Sequence, residues 1–190
     1  QTLIEAVLRE LELPMVIGSY KGFSKIQYDL MGYIRLLVYG RILNPASKIA
    51  TLRQNELYYE PVVDNEYDYN IYDALDFIYK HKMQIFNRIN SVIAKKFSRK
   101  TDIVYYDVTN FYFEIENPDE DLLDENETVV EKGIRKVGVS KENRKTPIVQ
   151  MGLFLDNSGY PISYEIFPGN TLDHLTVRDS LKNTVDNMDF

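Results

Sequence analysis

Cysteine is absent from this chain of 190 residues. That excludes disulfides and thiolate metal sites, and it fits a reducing compartment. Histidine is scarce: His81 and His174 stand far apart, lack metal-ligand spacing and read as surface helix residues. No apolar run approaches the roughly 18–20 residues that a membrane-spanning helix needs. The opening QTLIEAVLRELEL has neither the basic stretch nor the apolar core of a secretory signal. A glycine-rich phosphate loop, a nucleophile-elbow serine and an H-E-x-x-H zinc motif are all missing. The expected setting is the cytoplasm, with no membrane partner.

What is present suits a folded chain. Apolar residues make up 44%, close to the globular average, and the length fits one large domain or two small ones. The net charge of −7 is unevenly spread. Residues 1–100 carry 14 Lys and Arg against 11 Asp and Glu, whereas residues 101–190 carry 8 against 18. Within the acidic half, Glu114 to Glu131 holds nine acids and no base. Directly after it, Lys132 to Lys145 holds six bases (Lys132, Arg135, Lys136, Lys141, Arg144, Lys145) and one acid, Glu142. The acidic block reads as a solvated loop.

Periodicity divides the chain near residue 101. Before it, Leu3, Val7, Leu8 and Leu11 sit at helical spacing. Residues 13–24, with Pro14, Gly18 and Gly22, are expected to be a loop. Ser24 is the expected N-cap of a long helix reaching Leu43, and Pro45 with Ala46 opens the next one. Residues 58–69 are a polar, aromatic connection. Tyr72 to Phe97 makes one or two helices ending in basic residues, which suit a helix C-terminus. After residue 101 the pattern predicts strands over 101–113, 147–155 and 160–167, with DNSG (156–159) as a hairpin turn. Thr171 then caps a final helix through Leu175, Val177, Leu181 and Val185.

The stretch DIVYYDVTNFYFE (102–114) poses the functional question. Ile103, Val104, Tyr105 and Tyr106 read as a buried or half-buried strand, yet Asp107 follows in its middle. A buried carboxylate is costly unless its charge is compensated. Two readings fit the stretch alone. Asp107 either begins a turn, bonding backbone N–H groups, or is held on the strand for a partner such as a cation.

YYDVTNFYFE (105–114) together with GIRKVGVSKENRKTPIVQMGLFLDNSGYPISYEIFPGNTLD (133–173) resembles the DDE transposases of bacterial insertion sequences. More narrowly, it looks like the group whose first acid lies in a Y-x-D-x-T stretch and whose hairpin ends in a P-G-N-x-x-D stretch. RILNPASKIAT (41–51) extends the resemblance into the N-terminal half. It implies an α+β chain: a helical region at 1–100 for DNA binding or dimerisation, then at 101–190 the start of an RNase H-like catalytic domain. That start comprises three antiparallel strands and a helix, incomplete at the C-terminus, with an acidic loop at 114–131 and a basic loop at 132–145. The implied chemistry is metal-dependent phosphoryl transfer: cleavage and strand transfer of insertion-sequence DNA by two divalent ions, Mg²⁺ or Mn²⁺, on three carboxylates. Asp107 would be the first of these, catalytic and metal-binding. The second Asp and the Glu are expected beyond Phe190, so the chain as given is expected to be inactive and its metal site unfilled. The implied partner is double-stranded DNA, bound as a homodimer, in the bacterial nucleoid.

Other residues carry two readings each from their position and charge. Thr109 lies two residues from Asp107 on the same strand face and either bonds its carboxylate or is an ordinary β-branched strand residue. Asn170 and Asp173 either orient the metal region or simply form the turn and the helix N-terminus. Arg135, Lys136, Lys141, Arg144 and Lys145, with Gly133 and Gly138 for flexibility, either touch DNA phosphates or pair with the acidic loop upstream. That loop could also shield them until DNA displaces it. The competing function is a non-catalytic DNA-binding or assembly protein that retains the transposase fold.

Overall fold

The computed structural model describes residues 1–139 and 145–187. It is mixed α+β, with seven α-helices, a three-stranded antiparallel sheet and a two-stranded sheet among the described residues. The chain divides into two compact units, Gln1–Phe97 and Ser98–Phe190.

The first unit is helical: α1 (Thr2–Glu10), α2 (Leu13–Lys21), α3 (Leu30–Leu43), α4 (Lys48–Arg53), a 3₁₀ turn (Gln54–Leu57), α5 (Asp68–Lys80) and α6 (Lys82–Phe97). Residues 13–21, expected as a loop, are α2. Pro14 sits in its first turn, where a missing N–H removes no helical bond. Glu12, at φ 57°, makes the break from α1 instead. Ser24 caps no helix. Its hydroxyl donates to the Lys21 carbonyl and accepts from the Ile26 amide, closing a turn. Asp29 is the cap of α3, accepting from the Gly32 amide at 3.0 Å. Ser47, rather than Ala46, caps α4 through the Ala50 amide. His81 is no free surface residue, because it packs between Tyr20 and Phe77 at the α5–α6 junction.

Leu30, Tyr33, Ile34 and Leu36 of α3 pack with Val16, Ile17, Leu52, Ile71, Ala74 and Phe77 to form the core of this unit. Asn55 organises the aromatic connection beside it. Its carboxamide oxygen accepts from the Val62 and Val63 amides, and its nitrogen donates to the Val63 carbonyl and to Glu66.

The second unit contains β1 (Tyr105–Tyr112), β2 (Leu122–Leu123), β3 (Val129–Glu131), β4 (Ile148–Leu155), β5 (Pro161–Pro168) and α7 (Asp173–Asn187). The larger sheet has the order β1-β4-β5, antiparallel throughout, with Asp107 opposite Leu153 and Leu153 opposite Tyr164. β1 is shorter than expected: Ile103 and Val104 precede it and are exposed. Along β1 exposed and half-buried residues alternate, with Tyr105, Asp107, Thr109 and Phe111 on the exposed side. Period-2 alternation of this kind marks a strand with only one covered face.

The acidic block is organised rather than simply solvated. β2 pairs with β3 across a turn in which Asp124 accepts from the Asn126 and Thr128 amides, both at 2.8 Å. Beyond the hairpin turn of β4 and β5, α7 begins at Asp173, two residues after the expected cap Thr171. It seats an unexpected side on the sheet. Thr176 and Ser180 are buried, whereas Leu175, Leu181 and Val185 are 47%, 52% and 64% exposed. Ser180 lies 3.3 Å from the Tyr106 hydroxyl, and Thr184 lies 2.7 Å from that of Ser163.

Candidate functional site

Asp107 is held by the β1–β4 ladder at a fixed point in mid-strand, so it does not begin a turn. It is exposed, which corrects the expectation of a carboxylate buried among aromatics. The reason is topological: its strand face has no covering layer, and the aromatic neighbour Tyr106 points its ring the other way, onto Phe154. Thr109 shares the exposed face, and among the described residues no hydrogen bond joins it to Asp107.

The fold brings Asp107 and Asp173 together. A cleft of about 260 Å³ is lined by Tyr106, Asp107 and Val108 from β1 and by Asp173, His174 and Val177 from α7. Asp173 and His174 also border a neighbouring cleft of about 670 Å³, where Asn170, Asn110 and Gln150 join them. His174, read from the sequence as a bystander, thus belongs to the candidate site. Asn110 and Gln150 were missed as well. They oppose one another across β1 and β4, and the Oδ1 of one and Oε1 of the other are buried without a protein partner. Their only sequence signal is an amide inside an apolar strand, as in PIVQMGLFL (147–155). Among the described residues no group of three or more His, Asp or Glu lies close enough to hold a metal ion. The chain supplies one rigidly placed carboxylate, with a second acid and an imidazole along the same cleft.

The basic segment proves to be anchored. Arg135 Nε donates to Asp119 Oδ1 at 2.7 Å and its backbone amide to Asp119 Oδ2 at 3.0 Å, while the Asp119 amide donates to the Arg135 carbonyl. Lys136 pairs with Asp121 at 2.7 Å and also donates to the Asp119 carbonyl. Lys136 forms a backbone bridge to Ile148, extending the sheet by one rung. At Gly138 the reason for glycine is steric. A Cβ on Gly138 would fall 1.8 Å from the Gly169 carbonyl oxygen, so glycine is what lets the segment lie against the P-G-N turn. Lys145 is exposed, and Lys141 and Arg144 lie outside the described residues.

Arg135 holds the Asp119 carboxyl down at about 2, first through its side-chain hydrogen bond and then through its backbone amide. Lys136 likewise lowers Asp121. A depressed carboxyl stabilises the folded form above its unfolded value near 3.8 and loses that contribution as pH falls through about 2. Protection of the Arg135 amide, relative to its intrinsic exchange rate at each pH, is thus expected to persist down to pH ~4 and to fall between pH ~4 and ~2. Loss of protection centred above that window would mean that Asp119 does not hold the clamp.

Comparison of the chain with protein-family models, with curated proteins and with solved structures finds no match.

Proposed function

We propose that this chain is part of a DDE transposase, contributing the first catalytic carboxylate of an RNase H-like domain that cleaves and joins insertion-sequence DNA. The observation that carries the reading is the position of Asp107, mid-strand on the first of three antiparallel strands and beside the first turn of the helix that follows them. A strand fixes a side chain to a fraction of an ångström, as an ion clamping the two oxygens of an in-line displacement requires. In this reading Mg²⁺ or Mn²⁺ would be bound jointly by Asp107 and by acids not assigned to any residue of this chain. Asp173 and Asn170 border the same region, and the homodimer on DNA belongs to the proposal. A second reading is a non-catalytic DNA-binding or assembly protein that keeps the same fold without the chemistry.

Both readings require DNA affinity, and the ion pairs determine its form. Arg135 and Lys136 are paired with Asp119 and Asp121, so phosphates would compete with those acids for them, whereas Lys145 is exposed. Binding to double-stranded DNA is expected to be weak, independent of sequence and steeply salt-dependent. Each phosphate contact contributes about −0.9 to the slope of log K against log salt. Replacing Arg135, Lys136, Arg144 and Lys145 with Ala should flatten that slope. Asp119→Asn with Asp121→Asn should tighten binding at fixed salt. A mobility-shift series across salt concentrations measures both, and an unchanged slope in the Ala variant would sink the phosphate-contact assignment.

A further inference from the structure

The helical unit contains a pocket that the transposase reading does not use. It has a volume of about 300 Å³ and is walled by Tyr28, Tyr33, Tyr67 and Tyr69. Tyr67 and Tyr69 stack at 5.4 Å between centroids, and Tyr28 meets Tyr33 edge-on at 5.3 Å. Asp29 and Asp64 also line it, and no Lys, Arg or His does.

Its polar atoms are disposed to accept. The Tyr33 hydroxyl donates to the Asn65 carbonyl and receives the Tyr67 amide and the Asn70 side-chain nitrogen, so its capacity is filled. That last bond commits the Asn70 nitrogen and leaves Asn70 Oδ1 buried without a protein partner, in a residue only 3% exposed. The Tyr28 hydroxyl is buried and unpartnered too. Burial, and then Asp73 and Tyr33, push its pKa up to about 12, so it stays a neutral phenol. Lys21, the nearby ammonium, is committed to the Tyr28 carbonyl at 2.6 Å.

A buried acceptor left unpaired is costly, so a donor should occupy this site. Water would satisfy Asn70 but would gain nothing from the exposed tyrosine rings, Tyr67 and Tyr69. A carboxylate or phosphate would meet Asp29 and Asp64 with like charge. A positively charged donor uses the unpaired oxygens, the acids and the negative ring faces together. We infer that this pocket binds an organic cation, an alkylammonium or guanidinium head, presented either by a free amine or by a Lys or Arg side chain.

The test is a titration of the whole chain with butylammonium chloride and with N-acetyl-lysine methylamide, against matched sodium chloride, followed by ¹⁵N–¹H spectra. The expected result is saturable shifts at the Asn70 side-chain amide with both organic cations and none with sodium. Tyr69→Ala and Asp64→Asn change exposed residues and should leave the fold intact. Each is expected to weaken binding about three- to fivefold, the scale of a cation–π contact or an ion pair at an exposed site. Tighter binding of the lysine derivative points to a protein side chain, and equal binding to a free amine. Shifts that fail to saturate, that sodium reproduces, or that survive both substitutions would overturn the assignment.

Discussion

Asp107→Asn is expected, on the transposase reading proposed above, to abolish DNA strand cleavage in a longer chain that carries two further acids, with DNA affinity and thermal midpoint unchanged. The amide matches the carboxylate in shape but lacks the charge that a hard divalent ion requires. Metal assistance is worth several kcal/mol of transition-state stabilisation, so the loss should be about a thousandfold or more. Because Asp107 is exposed on an uncovered strand face, the change relieves no buried charge. Stability should move by no more than about 0.5 kcal/mol, as for other surface substitutions. Cleavage assays with Mg²⁺ and Mn²⁺ beside a melting curve decide the matter. A variant that still cuts at the parental rate would make Asp107 an ordinary strand residue and remove the ground for the transposase reading.

The largest stability effect is expected at a pair with no proposed part in chemistry. Arg99 Nε lies 3.1 Å from Asp156 Oδ2, with the two side chains 4% and 0% exposed. Asp156 also accepts the Ser158 and Tyr160 amides through Oδ1, so one carboxylate closes the β4–β5 turn and receives the charge of Arg99. Arg99 donates in turn to the Pro161 carbonyl. Burial lowers the Arg99 pKa while Asp156 opposes that shift, which is how the pair keeps a guanidinium charged out of water. Removing one partner strands the other, and breaking such a pair costs about 3–5 kcal/mol. Against a total stability of roughly 5–15 kcal/mol, Arg99→Ala or Asp156→Ala should leave the Ser98–Phe190 unit close to unfolding. Asp156→Asn keeps the turn bonds at Oδ1 and isolates the charge effect. Urea midpoints of the three variants measure this, and shifts below about 0.5 kcal/mol would mean the pair contributes nothing.

Much of this architecture could be read from residue types. The helices before residue 97, the strand around Asp107 and the β4–β5 hairpin follow from periodicity, because a 3.6- or two-residue repeat is what one covered face imposes. The places where that reading failed have specific causes. Pro14 and Gly18 look like loop residues, but a first-turn Pro is compatible with a helix, so α2 was hidden. Asp107 was expected to be buried because its neighbours are aromatic, and composition does not say which strand face is covered. The ion pairs of Asp119 and Asp121 were legible only as an alternative, since adjacent blocks of opposite charge can pair or stay apart. The Arg99–Asp156 pair left almost no trace in the sequence, its partners being far apart and one of them disguised as an ordinary turn residue. Within the candidate site Asp107, Asn170 and Asp173 could be named in advance. His174, Asn110 and Gln150 enter only through the register of β1 and β4 and the start of α7.

The seat of α7 determines how that helix would come away. Its underside carries Thr176, Ser180 and Thr184, and its contacts with Tyr106 and Ser163 are hydroxyl to hydroxyl. Detachment would wet little hydrocarbon of the helix itself, because Leu175, Leu181 and Val185 are already at the surface; the newly wetted apolar area would belong to the sheet, at Tyr106 and Phe154. Both the heat-capacity change of an opening and its sensitivity to urea scale with newly exposed area. Release of α7 should thus carry a smaller heat-capacity change and a weaker urea dependence than release of a helix that buries its own leucines. Its amides should exchange with solvent before those of the strands beneath them.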